Sequence, residues 1–261
     1  MFFPCAHPRN CFAPLLGAAL ASGLASGALG CGAMTGEARI VEVTERLEFK
    51  LEDGRLLRLA GLDAPAPEWA LDGLAADWAD RPLKLALLAP RPDRWGRWLA
   101  DLSAPDGASL TDALIRAGAL RVKPEFETRN CEGPRLSIEQ DARRQKRGLW
   151  REPNAILAAG DASGLAESES RLTIVEGEVR RVGEGRSRVY LDFGGRDGFT
   201  VVVQRKAEAA FQRRGMSLPS LAGHFVRVRG YLDNRFGPRI ELADPLMIER
   251  TEGVGGSGPG G

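Results

Sequence analysis

Residues 153–170 divide this chain, because their composition differs from that of the sequence on either side. They are rich in Ala, Gly, Ser and acidic residues and contain no Lys or Arg, which is typical of a linker. The stretches that flank them, 38–152 and 171–250, are each long enough to bury a hydrophobic core. With 43% hydrophobic and 27% charged residues overall, disorder throughout is excluded. The sequence therefore predicts two folded units.

The charge balance limits the kinds of partner. The chain has 36 basic and 35 acidic residues and a formal net charge of +1, which argues against a wholesale electrostatic partner such as duplex DNA. The first unit is balanced, with 20 basic and 20 acidic residues, whereas residues 171–250 carry 15 against 10. Any surface that binds anions must therefore be a small basic patch, since neither the chain as a whole nor the first unit is strongly basic.

The N-terminus resembles an export signal. Residues 12–30 form an apolar run of small residues and Leu, and Arg9 is the one charged side chain before Glu37. This pattern predicts a signal peptide at 1–30 rather than a permanent membrane helix. The sequence Ala-Leu-Gly-Cys that ends at Cys31 resembles a lipobox, so Cys31 is a candidate for lipidation. An ordinary cleaved signal is the alternative, and a lipid anchor at Cys31 is the sole membrane contact that the sequence predicts.

Either form of the signal predicts an extracytoplasmic protein, in the periplasm, anchored as a lipoprotein, or secreted. Two thiols remain after residue 30, Cys31 and Cys131. They are too few for a four-thiolate zinc site or a disulfide framework. If Cys31 is lipidated, Cys131 is a free or intermolecular thiol; if it is not, a bridge between the two can form. The sequence leaves both alternatives open.

The first unit combines strand patterns with helix patterns, which predicts an α+β fold. Two stretches with alternating apolar residues are joined through the turn Glu52-Asp53-Gly54, and three later stretches have helical spacing, the last with Ser137 as its expected N-cap. The predicted strands are 39–47 and 56–62, and the predicted helices are 68–79, 110–120 and 137–148.

The second unit reads as five short strands with one helix, at 206–215, between the third and the fourth. This order is that of an OB-type barrel, although a small sandwich also fits it. Arg227 and Arg229 alternate along one predicted strand and share a face. Such a face can bind single-stranded nucleic acid, but a solvated sheet face is the favoured interpretation. The Gly-rich tail at 251–261 is predicted to be disordered.

Four sequence blocks, in order, resemble the staphylococcal-nuclease-like (thermonuclease) family, and the resemblance extends over about 38–150. It implies a five-stranded OB-type barrel with three helices and a calcium-dependent hydrolysis of phosphodiesters in nucleic acid. The blocks are RLAGLDAP at 58–65, DRWGRWLA at 93–100, SL with ALIRAG at 109–118, and Glu139 with AR and GLW at 139–150.

The resemblance assigns roles to three residues. Arg58 and Arg97 match the family's phosphate-binding arginines, whose planar guanidinium groups suit two oxygens at once. Asp63 matches a calcium-binding carboxylate, and calcium prefers oxygen ligands. Trp95, beside Arg97, is a weak candidate for stacking on a base.

Two departures from the family pattern concern the reaction itself. The first strand of the family usually carries a calcium-binding Asp, whereas residues 43–48 contain none, and Glu45 or Glu48 are weak substitutes. Ala66 stands where the general-base Glu is expected, and the loss of a positioned base costs about 10²- to 10⁴-fold in rate. Glu68, two residues further on, is a remote substitute.

These observations predict an exported thermonuclease-like protein that binds single-stranded nucleic acid or another phosphate-bearing ligand, with its calcium-dependent phosphodiesterase activity degenerate or lost. One alternative is an active endonuclease in which Glu45, Glu48 or Glu68 supplies a carboxylate near Asp63. The other is a structural protein of the envelope that binds no nucleic acid. The sequence predicts no oligomeric state.

Overall fold

The computed structural model describes residues 31–65, 68, 70, 71, 78, 81–195 and 198–251. The predicted signal peptide, Ala66, most of the predicted helix at 68–79 and the tail from residue 252 lie outside the described residues.

The first unit contains eight strands among the described residues: β1 (Gly36–Ala38), β2 (Ile40–Val43), β3 (Glu48–Leu51), β4 (Leu56–Leu59), β5 (Leu62–Asp63), β6 (Leu83–Leu87), β7 (Arg97–Ser103) and β8 (Arg121–Val122). Six of them form one sheet with the order β1-β6-β7-β4-β3-β2, in which β4 and β7 are parallel. The other two, β5 and β8, form a separate antiparallel pair.

The predicted turn at 52–54 joins β3 to β4, but the predicted strand at 39–47 is wrong in its extent. A tight turn separates β2 from β3. Its Thr44 hydroxyl accepts hydrogen bonds from the backbone N–H groups of Arg46 and Glu48, and Leu47 has a φ of 55°. Side chain-to-backbone bonds of this kind compete with a continuous strand. The chain therefore reverses direction before Glu48.

Helix α1 (Leu110–Ala117) confirms the predicted helix at 110–120. The Ser109 side chain accepts a hydrogen bond from the N–H of Asp112, and Gly118 ends the helix with a φ of 72°. Helix α2 (Glu132–Arg144) begins five residues before the predicted N-cap. Ser137 is not a cap, because its hydroxyl donates to the Gly133 carbonyl within the helix.

The second unit contains the strands β9 (Leu157–Ala158), β10 (Leu172–Glu178), β11 (Arg181–Glu184), β12 (Arg188–Asp192), β13 (Thr200–Gln204), β14 (Phe225–Asp233), β15 (Arg239–Leu242) and β16 (Ile248–Arg250). They form an eight-stranded sheet with the order β11-β12-β13-β15-β14-β10-β9, in which β16 pairs with β14.

The region predicted as a linker contributes to this sheet. Strand β9 pairs in parallel with β10, and helix α3 (Ala162–Glu167) follows it, with Asp161 as its N-cap. The helix predicted at 206–215 is α4 (Arg205–Arg213), between β13 and β14 as expected.

The α+β class is confirmed, whereas the five-stranded barrels are not. The first sheet has six strands and the sheet of the second unit has eight, where five were expected in each. Each unit has its own buried core, the first centred on Phe49, Leu57 and Leu102 and the second on Val201 and Phe211. Among the helices of the described residues, none has the length and apolarity needed to cross a bilayer.

Candidate functional site

Arg58 and Arg97 lie on one face of the first sheet. Glu48 of β3 pairs with Arg58 of β4, and Leu56 of β4 pairs with Arg97 of β7. Residues opposite one another across strands, or two apart along one strand, point to the same side of a sheet. The three polar side chains therefore share a face, while Leu57 and its neighbours point into the core on the other. The structure places Glu48, Arg58 and Arg97 on one face of the sheet.

Arg97 is held between two carboxylates. Its Nη1 donates to Glu48 Oε1 at 3.0 Å, and its Nε and Nη2 reach Asp93 Oδ2 at 2.9 and 2.8 Å. Burial would raise the pKa of Asp93, but its hydrogen bonds from Arg97 and from the Trp95 N–H lower the pKa below its ordinary value. Since the Arg97 side chain is still 21% exposed, the guanidinium is oriented but accessible.

Arg58 is bound by a residue that the sequence did not point to, Glu125. Arg58 Nη1 donates to Glu125 Oε1 at 3.1 Å, Lys123 Nζ lies 2.6 Å from the same oxygen, and the Gly61 N–H donates to Oε2 at 3.1 Å. Burial raises the pKa of the Glu125 carboxyl, but Lys123, Arg58 and the Gly61 hydrogen bond outweigh it and hold the pKa below its usual value. Glu125 is thus an ionised carboxylate within a ring of donors.

The backbone at Gly61 is shaped to face that carboxylate. Gly61 has a φ of 70°, and a Cβ built on it would lie 2.7 Å from the Thr128 hydroxyl oxygen, so any other residue there would clash. The Thr128 hydroxyl in turn donates to Glu132 Oε1, which also accepts the N–H of Glu125. This packing fixes the loop that carries Glu125 against the turn between β4 and β5.

Asp63 is engaged by a guanidinium. In the β5–β8 pair it lies opposite Arg121, whose Nε donates to Asp63 Oδ2 at 2.8 Å. Arg121 also donates to the Leu172 carbonyl of the second unit. Among the described residues, no three acidic, His or Cys side chains are grouped as metal ligands. The described residues do not fit a calcium ion at Asp63, because its carboxylate already balances a buried cation.

The other acidic candidates are dispersed. Glu45 lies exposed in the turn before β3, and Glu68 is exposed as well, whereas Glu48 contacts Arg97. Ala66, at the position of the expected base, lies outside the described residues. Glu125 was missed because it belongs to none of the family blocks and is 67 positions from Arg58. Its sequence signal is slight: a Lys-Pro-Glu triplet directly after a buried strand.

Trp95, the weak candidate for stacking on a base, is exposed, with 61% of its surface accessible. The guanidinium carbons of Arg94 and Arg97 lie 3.9 and 4.7 Å from its ring centroid. This is cation–π distance, so the ring helps to orient Arg97.

Cys31 and Cys131 form a disulfide, with their Cα atoms 5.4 Å apart. The sequence left open either a lipidated Cys31 with a free or intermolecular Cys131 or a bridge between the two, and the structure contains the bridge. It uses the Cys31 sulfur atom that lipidation would require. The bond ties the start of the described chain to the N-terminus of α2, next to the loop of Glu125.

Arg227 and Arg229 belong to the junction between the units, so the favoured interpretation of a solvated sheet face is wrong. Arg229 is 3% exposed in its side chain, and its Nη1 and Nη2 donate to the two Glu139 carboxylate oxygens at 3.0 and 2.9 Å. Arg143 and Arg227 both contact Glu249 at 3.2 Å. We call these five residues the junction cluster. Their location excludes Arg229 from a nucleic-acid groove.

Part of the chain is similar to known proteins. Residues 57–152 match the staphylococcal nuclease homologue family. Two curated relatives, from Escherichia coli O157:H7 and Escherichia coli, are both named "Uncharacterized endonuclease". Each is 31% identical over 127 residues, which is 45% of this chain and 79% of the relative. The resemblance predicted from the four sequence blocks is confirmed, and the chain belongs to the staphylococcal nuclease homologue family.

Proposed function

We propose that this protein binds the phosphodiester backbone of single-stranded nucleic acid at Arg58 and Arg97, and that calcium-dependent phosphodiesterase activity is degenerate or lost. The observation that carries the proposal is the placement of both guanidinium groups on one sheet face, two residues out of register on the parallel strands β4 and β7. Two such groups can each donate paired hydrogen bonds to phosphate oxygens.

The proposed loss of activity rests on the catalytic groups that hydrolysis of a phosphodiester would need. Hydrolysis needs a base for the attacking water and cations for the charge that develops on phosphorus. Arg58 and Arg97 supply charge, but the family's base position is Ala66. The Asp63 carboxylate is paired with Arg121 and does not face solvent as an unpaired ligand.

An active endonuclease with a rearranged site is the second candidate, and two contacts favour it. Glu48 lies against Arg97 and Glu125 lies against Arg58, each with an oxygen about 3 Å from a guanidinium nitrogen. A carboxylate that exchanges a guanidinium for a water molecule can act as a base. The names of the two relatives point the same way.

One experiment separates the candidates. End-labelled single-stranded DNA is incubated with purified protein in calcium or in EDTA, and both retardation and cleavage are followed. The proposal expects retardation without cleavage, weakened by Arg58→Met and Arg97→Met. Arg181→Met is the matched control, because Arg181 is an exposed arginine of the second unit, paired with Asp192.

Cleavage that requires calcium and is lost in Arg97→Met would establish the active endonuclease instead. Loss of that cleavage in Glu48→Gln or Glu125→Gln would then identify the base. If the wild-type protein neither retards nor cleaves the DNA, both candidates fail and the structural envelope protein remains.

We also propose that the protein is exported. The Cys31–Cys131 bond supports this location, because disulfides persist in oxidising compartments and are rare in the cytosol. Its test is the mass of the protein recovered from the native host. Loss of residues 1–30 supports export, whether Cys31 is then bridged to Cys131 or carries a thioether-linked lipid, and a chain that retains residues 1–30 contradicts it.

A further inference from the structure

We propose that Glu125 is an internal anion that occupies the phosphate-binding cradle at Arg58 and must be displaced by an incoming phosphate. The cradle consists of three donors: the Arg58 guanidinium, the Lys123 ammonium and the Gly61 N–H. This inference rests on the proposed function and names the residue that sets the affinity of that site.

The donors around Glu125 are those that proteins use for phosphate oxygens. Arg58 reaches both carboxylate oxygens, at 3.1 Å to Oε1 and 3.4 Å to Oε2. Lys123 contacts Oε1 and the Gly61 N–H donates to Oε2. A forked guanidinium, a point charge and a backbone N–H on a glycine turn together recognise an oxyanion by charge and by geometry.

The charges of the cradle favour a second anion once Glu125 leaves. Arg58 and Lys123 bring two positive charges, and Glu125 brings one negative charge. Among the described residues, neither cation has another ion-pair partner. Inorganic phosphate, which carries about −1.5 to −2 charge near pH 7, therefore balances the two cations better than Glu125 does. A phosphodiester carries one negative charge, as Glu125 does, and replaces it without a change in the net charge of the cradle.

The carboxylate can be exchanged without unfolding the loop. The Glu125 backbone is fixed through its own N–H, which donates to Glu132, and by the packing of Thr128 against Gly61. Among the residues that the structure describes, the cradle donors alone hold the side chain. It remains 16% exposed, while the Arg58 side chain is 29% exposed. Rotation of this one side chain opens the cradle to solvent.

Displacement of an internal ligand lowers the apparent affinity for an external one, because the competent state is populated only in part. Glu125→Gln keeps the size of the side chain and removes its charge. We expect this variant to bind phosphate roughly tenfold more tightly, the order expected for one freed charge-assisted hydrogen bond.

The test is a calorimetric titration with two probes, inorganic phosphate and a short single-stranded DNA. The proteins are the wild type, Glu125→Gln, Glu125→Gln with Arg58→Met, and the control Glu127→Gln, which removes a neighbouring exposed carboxylate. The proposal expects tighter binding of both probes by Glu125→Gln, a return to weak binding when Arg58 is also replaced, and no change in Glu127→Gln.

The outcomes separate this inference from the proposed function. If Arg58→Met weakens DNA binding but Glu125→Gln binds no more tightly than the wild type, the internal anion is refuted and the phosphate site stands. If the wild type binds neither probe and Glu125→Gln does not either, both fail. Tighter binding of inorganic phosphate alone supports the cradle and refutes its use for DNA.

A second measurement covers the case in which Glu125→Gln does not fold. The Gly61 amide resonance of the wild type is followed by NMR during a phosphate titration, with the Gly107 amide, in the loop that follows β7, as reference. A saturable shift at Gly61 alone supports displacement of Glu125. An unmoved Gly61 amide at saturating phosphate overturns it.

Discussion

The proposed phosphate site, around Arg58 and Arg97, and the junction cluster are both built from arginines and carboxylates, yet they differ in exposure. In the junction cluster, Glu139 is fully buried and Arg229 is 3% exposed in its side chain. At the proposed phosphate site, the Arg58 and Arg97 side chains are 29% and 21% exposed. A closed cluster can only hold the two units together, whereas an open one can exchange its internal carboxylates for an external anion.

The difference is energetic as well as geometric. Removal of one partner from a buried pair leaves an uncompensated charge in a medium of low dielectric constant. Removal of one partner from a partly exposed pair, such as Arg58 with Glu125, leaves a charge that water can reach. The same substitution, Arg to Met, should therefore affect stability in one region and ligand binding in the other.

The largest effect is expected for Arg229→Met. Glu139 would lose its two hydrogen bonds from Arg229, and we expect the free energy of unfolding to fall by about 3–5 kcal/mol. Urea denaturation followed by circular dichroism measures it. The control is Arg235→Met, an arginine 76% exposed in its side chain, for which a loss below about 1 kcal/mol is expected. Equal losses in both variants would remove the distinction between the regions.

The disulfide should contribute almost as much. It closes a sequence separation of 100 residues, and its removal by Cys131→Ser is expected to cost about 2–5 kcal/mol. Unfolding in the presence and absence of a reductant measures the cost. The variant should show no further loss on addition of reductant; a wild type that is equally stable when reduced would contradict this prediction.

Acid should weaken the junction cluster through Glu249. Burial raises the pKa of this carboxyl, but Arg143, Arg229 and Arg227 outweigh it, so the folded pKa lies below the ordinary value of 4.5. The stabilisation is complete above 4.5 and is lost as the pH falls through the folded pKa. Unfolding at a series of pH values should show a shallower acid decline in Glu249→Gln than in the wild type. Parallel declines would contradict the assignment.

The smallest effect concerns salt. Two phosphate contacts to a single strand predict a slope of about −1.4 in a plot of log affinity against log salt. Arg97→Met should reduce the slope by about 0.7, while a junction variant that remains folded should leave it unchanged. Fluorescence anisotropy at several salt concentrations measures the slope. A slope unaffected by Arg97→Met would place the contacts elsewhere.

Local sequence patterns predicted the parts of the fold that local interactions determine. Helix α1 followed from its Ser109 cap and Gly118 stop, and the turn at 52–54 from its Asp-Gly pair. The family followed from four blocks of sequence, whereas the common sheet face of Arg58 and Arg97 became evident only from the strand register. The start of α2 was predicted wrongly, because it depends on a contact outside the helix. The capping signal at Ser137 is local, but the helix already begins at Glu132, whose carboxylate accepts a hydrogen bond from the N–H of Glu125.

The same reasoning explains why the site was predicted only in part. The arginine of an alternating strand looks identical in sequence whether solvent or a buried glutamate faces it, and Glu139 is 90 positions from Arg229. Glu125 and Arg121 acquire their partners through the packing of β8 beside β5. Neither the composition nor the periodicity of the sequence predicts that packing.

Phosphate binding by Arg58 and Arg97 is tested most directly by the affinity for single-stranded DNA of the double variant Arg58→Met, Arg97→Met, measured beside Arg181→Met at equal salt. We expect the double variant to remain folded and to lose at least tenfold in affinity, the order of one charge-assisted hydrogen bond. The affinity of the control should not change. Equal affinity in both variants would contradict phosphate binding by the two arginines.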